Sequence, residues 1–271
     1  KVDRKKSLER ITEAVNSGAG ETTLVTAVTR PKVVIDDFKG IEAVIASYST
    51  PYKPWQRDRT HNLRIASAAV DGTILRPGEE FSYNKVVGPR TKALGFRDAP
   101  MFVKGEVEQG TGGGVCQIST TLYNAALLSG MEIVRRSHHS QPVSYAPVGR
   151  DATVAYPYTD FRFRNNTDSP VYIMASVGKR TVNVTFLGRP IGHQIDIVTE
   201  GHRIIAAPSE ELIDDSLEPG AKEVRAEGRA GHRVTVYRVI RAGGETLKKE
   251  RISTDYYKPE KRVTAVGPTE L

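Results

Sequence analysis

At 271 residues, with 38% hydrophobic residues, 24 glycines and 15 prolines, the chain is long enough for one large or two to three small domains and too rich in apolar residues and turns for a coiled coil or a disordered tail. Its single cysteine excludes an intramolecular disulfide and a thiolate-clustered zinc site. The formal net charge of +7 arises wholly before residue 193, since residues 193–271 hold 13 Lys/Arg against 14 Asp/Glu; the positive residues are scattered singly, as in PYKPWQRDRTHNLR, which argues against a nucleic-acid partner and leaves solubility and weak attraction to polyanions.

In chain order, the opening KVDRKKSLER lacks the apolar core of a signal peptide, and no run reaches the roughly 18 apolar residues of a membrane span, so a soluble piece of something longer is expected. Residues 3–16 place Leu8, Ile11 and Val15 at helical spacing before Gly18 and Gly20. Residues 22–35, TTLVTAVTRPKVVI, read as strands broken at Pro31. IEAVIASYST is strand-like, RTHNLRIASAAVDG helical, and LRPGEEFSYNKVVGP turn and loop. Residues 115–129, VCQISTTLYNAALLS, form the clearest helix, with an apolar stripe closed by Gly130. Six short strands are expected after it: EIVRRS, VSYAPV, ATVAYP, DFRFRNN, PVYIMASVG and TVNVTFLG. The region is therefore expected to be α+β, with a Cys-bearing helix packed on mostly antiparallel strands. Beyond Pro190–Gly192, IDIVTE, KEVRAEG, HRVTVYRVIRAG, ETLKKERISTDYY and RVTAVG predict a small extended all-β module.

GTGGGVCQIST carries the chemistry. Gly110, Gly112, Gly113 and Gly114 can turn backbone N–H groups toward one point, and a thiol at a helix start meets unsatisfied donors and the positive end of the helix dipole, which lowers its pKa. The same donors suit an oxyanion formed on a carbonyl. Gln117 and Ser119, in the first helical turn, join Gly112, Gly113 and Gly114 as oxyanion or substrate-binding candidates. Against this, a lone cysteine is commonly a buried small hydrophobe and a glycine-rich loop commonly a tight turn. A phosphate loop is excluded because the following Lys and Ser/Thr are missing. No metal site is expected: His138 and His139 are adjacent, and no second ligand pair has helical spacing. No cofactor is expected.

A thiolate needs a basic partner, and His138 and His139 lie about 22 residues beyond Cys116. If HHSQPVSY continues as a strand, its odd positions share a face, so His139 joins Val143 and Tyr145 on the core side, with Asp151 the first candidate to fix its tautomer; a turn at Ser140 or Gln141 would reverse the choice. His61 is a further candidate, His193, His202 and His232 read as surface residues, and Asp160 is an alternative orienting carboxylate. Arg150 can hold a substrate carboxylate by a bidentate pair or be a structural arginine.

From about Ile41 to Gly188 the chain resembles the VanW domain family, through HNLRIASAAVDGTILRPGEEFSYNKVVGPR, GFRDAP, GGGVCQISTTLYNAALLSG, HSQPVSYAPVGRDATV and DFRFRNNTDSPVYI. The last 70 or so residues resemble a G5 domain, in PGAKEVRAEGRAGHRVTVYRVI and KPEKRVTAVG, and the first 35 or so look like the end of a peptidoglycan-binding-like domain that usually follows a transmembrane anchor. The resemblance implies an L,D-transpeptidase that joins peptidoglycan stems through a cysteine acyl-enzyme, with Cys116 as nucleophile and His139 as the histidine of the HS pair. His138 precedes that histidine and Met131 replaces a more usual leucine; the ordinary L,D-transpeptidase signature of His and Gly just before the cysteine is absent.

The expected organisation is thus 1–39 as the tail of a preceding domain, 40–192 as catalytic domain and 193–271 as a G5-like module that docks on the wall without shaping the active site. The expected activity is 3-3 cross-linking of tetrapeptide stems in the extracytoplasmic envelope; the alternatives are an L,D-carboxypeptidase and a non-catalytic wall-binding scaffold. Partners are expected to be stem peptides and glycan, with no nucleic acid, and with membrane contact only through an N-terminal anchor outside this chain.

Overall fold

The computed structural model describes residues 1–27, 33–103 and 106–268, and the chain divides into two units, Lys1–Asp37 and Phe38–Leu271. In the first, α1 (Arg4–Asn16) starts at Asp3, whose carboxylate accepts the Lys6 N–H at 3.1 Å, satisfying one orphan donor of the first turn. Its stripe of Leu8, Ile11 and Val15 is exposed. Of the strands expected over residues 22–35, the described residues contain one antiparallel bridge, Val2 to Thr26; Pro31 lies outside the described residues.

The second unit opens with β1 (Ala43–Pro51), α2 (Arg57–Val70), β2 (Thr73–Leu75), β3 (Glu80–Ser82), α3 (Tyr83–Val87), the hairpin β4 (Asp98–Val103) and β5 (Glu106–Thr111), and α4 (Val115–Leu128). It continues through β6 (Glu132–Arg135), β7 (Arg162–Arg164), β8 (Val171–Val177) and β9 (Thr181–Gly188). An antiparallel sheet in the order β1-β9-β8-β2 forms one wall. Strand alternation puts Val182, Val184 and Phe186 of β9 on one fully buried face, in the same core as Ile118, Leu122 and Ala126 of α4.

The helix is buried on nearly every side rather than along one stripe, Cys116 and Leu128 excepted. Such a helix must satisfy its polar side chains internally. Gln117 donates to Thr50 Oγ1 and Pro51 O at 2.9 and 2.8 Å, Ser119 Oγ donates to Ala152 O at 2.5 Å, and Asn124 donates to Arg150 O at 2.8 Å. The bonds from Ser119 and Asn124 lash the segment around residues 150–152 to the helix, which is what brings that segment to the cysteine.

The C-terminal part contains β10 (Gln194–Ile205), β11 (Ser209–Ile213), β12 (Lys222–Arg229), β13 (Gly231–Ala242), β14 (Glu245–Tyr257) and β15 (Glu260–Val266). They form two three-stranded sheets, β10-β13-β14 and β11-β15-β12, with β11 and β15 parallel. The whole is α+β, its Cys-bearing helix set among antiparallel sheets and followed by strands alone.

Three local expectations change. LRPGEEFSYNKVVGP is not all loop: it holds β3 and α3, whose cap is the Ser82 hydroxyl accepting the Lys85 N–H at 3.2 Å. The hairpin β4–β5 was not anticipated. VSYAPV and ATVAYP form no strand; between β6 and β7 the backbone turns repeatedly, with one bridge, Ala155 to Thr159. Pro142, Pro147 and Pro157 remove ladder donors along this stretch.

Candidate functional site

Cys116 lies half-buried in the first turn of α4. Gly112 and Gly114 take φ of 89° and 109°, the left-handed region that favours glycine. Gly113 is demanded by space instead, because a Cβ there would lie 2.5 Å from Ala99 O. The turn closes by N–H bonds from Gly113 to Gly110 O, Val115 to Gly112 O and Gln117 to Gly114 O, at 3.3, 3.2 and 2.9 Å. Among the described residues, the N–H groups of Gly114 and Cys116 stand outside this set, at the positive end of the helix. Fully buried Asn62 clamps the turn from α2, donating to Gly113 O at 3.0 Å and Arg97 O at 2.9 Å. Tyr83 OH donates to Val115 O at 2.9 Å.

His139 reaches the cysteine from the loop after β6. No strand runs through HHSQPVSY, so the alternation expected there does not orient it. What orients it is Asp151: the His139 backbone N–H and Nδ1–H both donate to Asp151 Oδ2, at 2.7 and 2.5 Å. With Nδ1 so engaged, Nε2 is the ring nitrogen left for Cys116, which lies close enough for the two groups to shift each other's charge. Asp151 is 1% exposed, and its Oδ1 accepts Tyr257 OH at 2.5 Å and Arg136 Nη2 at 3.3 Å.

The charges follow from these contacts. Burial alone would push the Asp151 carboxyl up, but the hydrogen bond from His139 and the charge of Arg136 outweigh it and hold it at about 2. Burial pushes the His139 imidazole down, and its bonds to Asp151 and Cys116 bring it up to about 9. Burial likewise pushes the Cys116 thiol up, while the hydrogen bond and charge of His139 bring it below its ordinary value. Both shifts act in the direction of a thiolate facing an imidazolium. The sulfur also lies 3.8 Å from Thr153 Oγ1 and 3.4 Å from Val154 O.

The other candidates are placed as follows. His138 turns away: its Nδ1–H donates to His139 O at 2.6 Å and its ring packs 4.8 Å from that of Tyr257. His61 lies on α2, with Nε2 3.0 Å from Gly95 O. Gln117 and Ser119 point into the packing described above. Arg150 is committed to Asn124 Oδ1 at 2.7 Å and to the face of Tyr48. Asp160 braces Ser82, Asn84 and Arg162. His202 is exposed; His193 and His232 are half-buried. Among the described residues no group of His, Cys, Asp and Glu is arranged to hold a metal.

Several neighbours were not legible in the sequence. Arg59 Nη2 donates to Gln117 Oε1 at 2.7 Å; burial lowers its guanidinium pKa, opposed by Tyr145 and the Cys116 charge. Arg90 bonds Asn84 Oδ1 at 2.7 Å, lies over Tyr83, and among the described residues has no partner for Nε or Nη2. Arg59 sits on the legible helix α2 and Arg90 in a turn, but nothing in the sequence around either marks it as a neighbour of the cysteine. Most distant in sequence are Tyr257 and Asp255 of β14: the β module expected to stay clear of the site touches Asp151 directly, and Arg136 Nη1 donates to Asp255 Oδ2 at 2.6 Å. A polar cavity of about 570 Å³, lined by Glu132, Arg135, His138, Arg238 and Arg251, also lies along this seam, away from the thiol.

Residues 58–187 match the family model described as VanW like protein, and residues 197–269 match that of the G5 domain, so a VanW-like domain and a G5 domain are present in the chain. Over 131 residues it is 44% identical to the uncharacterized protein YoaR of Bacillus subtilis (strain 168), covering 48% of this chain and 43% of that protein. Over 128 residues it is 30% identical to the vancomycin B-type resistance protein VanW of Enterococcus faecalis (strain ATCC 700802 / V583), covering 45% of this chain and 46% of that protein. The chain thus spans less than half the length of these relatives. Among solved structures, it is similar to the crystal structure of HP0197-G5, with 21% identity, 28% of this chain and 97% of that one covered, and a TM-score of 0.20. The IgA1 protease G5 domain structure gives 23%, 29%, 94% and 0.24.

Proposed function

We propose that this chain, with its VanW-like and G5 domains, is a wall-associated, extracytoplasmic cysteine acyltransferase of the L,D-transpeptidase kind. What supports the reading most is a half-buried Cys116 at a glycine-built helix start, beside a His139 whose ring is held by Asp151. In this reading residues 40–192 are the catalytic domain, 193–271 the β module, and 1–39 the tail of a preceding peptidoglycan-binding-like domain. Among the described residues no helix is long and apolar enough to cross a membrane.

The Cys116 thiolate attacks the carbonyl between the diamino acid and D-Ala of a tetrapeptide stem. The N–H groups of Gly114 and Cys116, which have no backbone acceptor among the described residues, stabilise the oxyanion. The carbon–nitrogen bond breaks as the His139 imidazolium gives its proton to the departing D-Ala amine, leaving a thioester. A side-chain amine of a second stem then attacks it, neutral His139 takes the amine proton, and the carbon–sulfur bond breaks to release the Cys116 thiolate beside the imidazolium. Arg90, rather than the engaged Arg150, is the cation suited to the carboxylate of D-Ala.

Incubation with tetrapeptide muropeptides, read by mass spectrometry, should yield 3-3 linked dimers with wild-type protein and none with Cys116→Ala. Free tripeptide without dimers would make water the acceptor and the activity an L,D-carboxypeptidase. Equal products from the variant would remove the cysteine from the chemistry and leave a wall-binding role.

A further inference from the structure

We infer that the C-terminal β module supplies a working part of the thiol site: Tyr257, the last residue of β14, is a positioning residue that holds Asp151 so that His139 stays aligned on Cys116. The inference rests on the reading of Cys116 as an activated nucleophile. It begins from the two oxygens of Asp151. Oδ2 is saturated by His139, through its backbone N–H and its ring. Oδ1 is held by Tyr257 OH at 2.5 Å and Arg136 Nη2 at 3.3 Å. Arg136 is in turn fastened by its Nη1 to Asp255 Oδ2 at 2.6 Å. One restraint on Oδ1 thus comes from β14 directly, and the other, Arg136, which also donates to Asp151 O and Gly149 O at 2.6 and 3.2 Å, is fastened by β14 at its far end.

The direction of the phenol bond is set by a second contact. Tyr257 OH accepts the Gly149 N–H at 3.0 Å, so its own proton is free to point at Asp151. The ring is fully buried and lies against His138 and His232, at centroid distances of 4.8 and 6.4 Å. A carboxylate pinned at one oxygen cannot swing about its Cα–Cβ bond, and the other oxygen stays fixed on the imidazole. The groups facing Asp151 and His139 from all sides are Cys116 and Tyr123 of α4, Arg136 and His138 after β6, Tyr145 in the following loop, and Asp255 and Tyr257 of β14. Of these, Tyr257 is the one that donates a neutral hydroxyl to the carboxylate, so its loss removes a bond without adding or removing a charge near neutral pH.

The test uses the whole chain and the rate at which iodoacetamide alkylates Cys116 between about pH 5 and pH 10. Wild-type protein should react well below the ordinary thiol midpoint of about 8.5. Tyr257→Phe should lose about tenfold in rate near pH 6 to 7, the effect of one bond to a charged group, with its midpoint moved up. Tyr256→Phe alters a half-exposed neighbouring ring and should match wild type. Asp255→Asn leaves the phenol in place, loosens Arg136, and should move the midpoint the same way. Unmoved midpoints in both Tyr257→Phe and Asp255→Asn, against an activated wild type, overturn the inference. An equal loss in Tyr256→Phe overturns it as a general effect of disturbing the strand. A wild-type profile like that of an unperturbed thiol sinks instead the reading of Cys116 on which it rests.

Discussion

Asp151 accepts from four donors, the His139 N–H and Nδ1–H, Arg136 Nη2 and Tyr257 OH, while 1% exposed. A buried charge with this many partners is neutralised by the protein rather than by water, and removing it strands the donors. Asp151→Asn should therefore cost about 3 kcal/mol in urea unfolding at neutral pH. The pH dependence has a definite sign. The folded carboxyl is held at about 2 against an ordinary 3.8, so its contribution is present above pH 4 and disappears as pH falls through 2, roughly 2 kcal/mol in all. Wild type should lose that much more stability than Asp151→Asn between about pH 5 and pH 2. Equal losses would mean that Asp151 titrates as an ordinary carboxyl.

At the scale of elements, the start of α4 depends on a backbone approach that side chains forbid. An alanine at Gly113 would bring its Cβ to 2.5 Å from Ala99 O and 2.7 Å from Pro100 O, both backbone and unable to rotate away. Gly113→Ala should cost roughly 2–4 kcal/mol and slow Cys116 alkylation, through displacement of the first helical turn. Gly78 has a φ of 78° and open space around it, so Gly78→Ala should cost only about 1 kcal/mol and leave the thiol unchanged. Retained alkylation in Gly113→Ala would show that the turn does not set the thiol's environment. Periodicity made α2, α4, β1, β8 and β9 legible, because each repeats its apolar residues over two turns or several alternations. It failed between residues 136 and 161, where apolar residues alternate but three prolines and the side-chain bonds from α4 hold the backbone in turns. His139 was singled out by strand alternation and by likeness to the HS pair of the VanW family, and the strand invoked to orient it does not exist. Tyr257 was not, since nothing local to ERISTDYY signals a partner 106 residues earlier.

For the second unit as a whole, two family matches meet within one packed body. Ile197 of β10 and Ile252 of β14 pack against the core that contains Leu122, Phe161 and Phe186. Arg238 of β13, 6% exposed, donates to Met131 O at 2.8 Å and to Glu250 Oε1 at 2.7 Å, and Gln141 Nε2 donates to Lys258 O at 2.7 Å. Domains joined by a small polar contact unfold separately; those sharing buried apolar surface and buried ion pairs unfold together. Arg238 is the sharpest test of which case holds, because its guanidinium ties Met131, just beyond α4, to the β module and removal strands a buried carbonyl. Arg238→Ala should cost about 3 kcal/mol, and hydrogen exchange should speed up by the same factor in the slowest amides of β9 and of β13. A faster β13 with β9 unchanged would mean that the strands beyond residue 193 open on their own, and Asp151 would then lose Tyr257 whenever they do. Equal acceleration makes the thiol site and the β module one cooperative unit, so that any substitution weakening the module also lowers the fraction of chains with an ordered site.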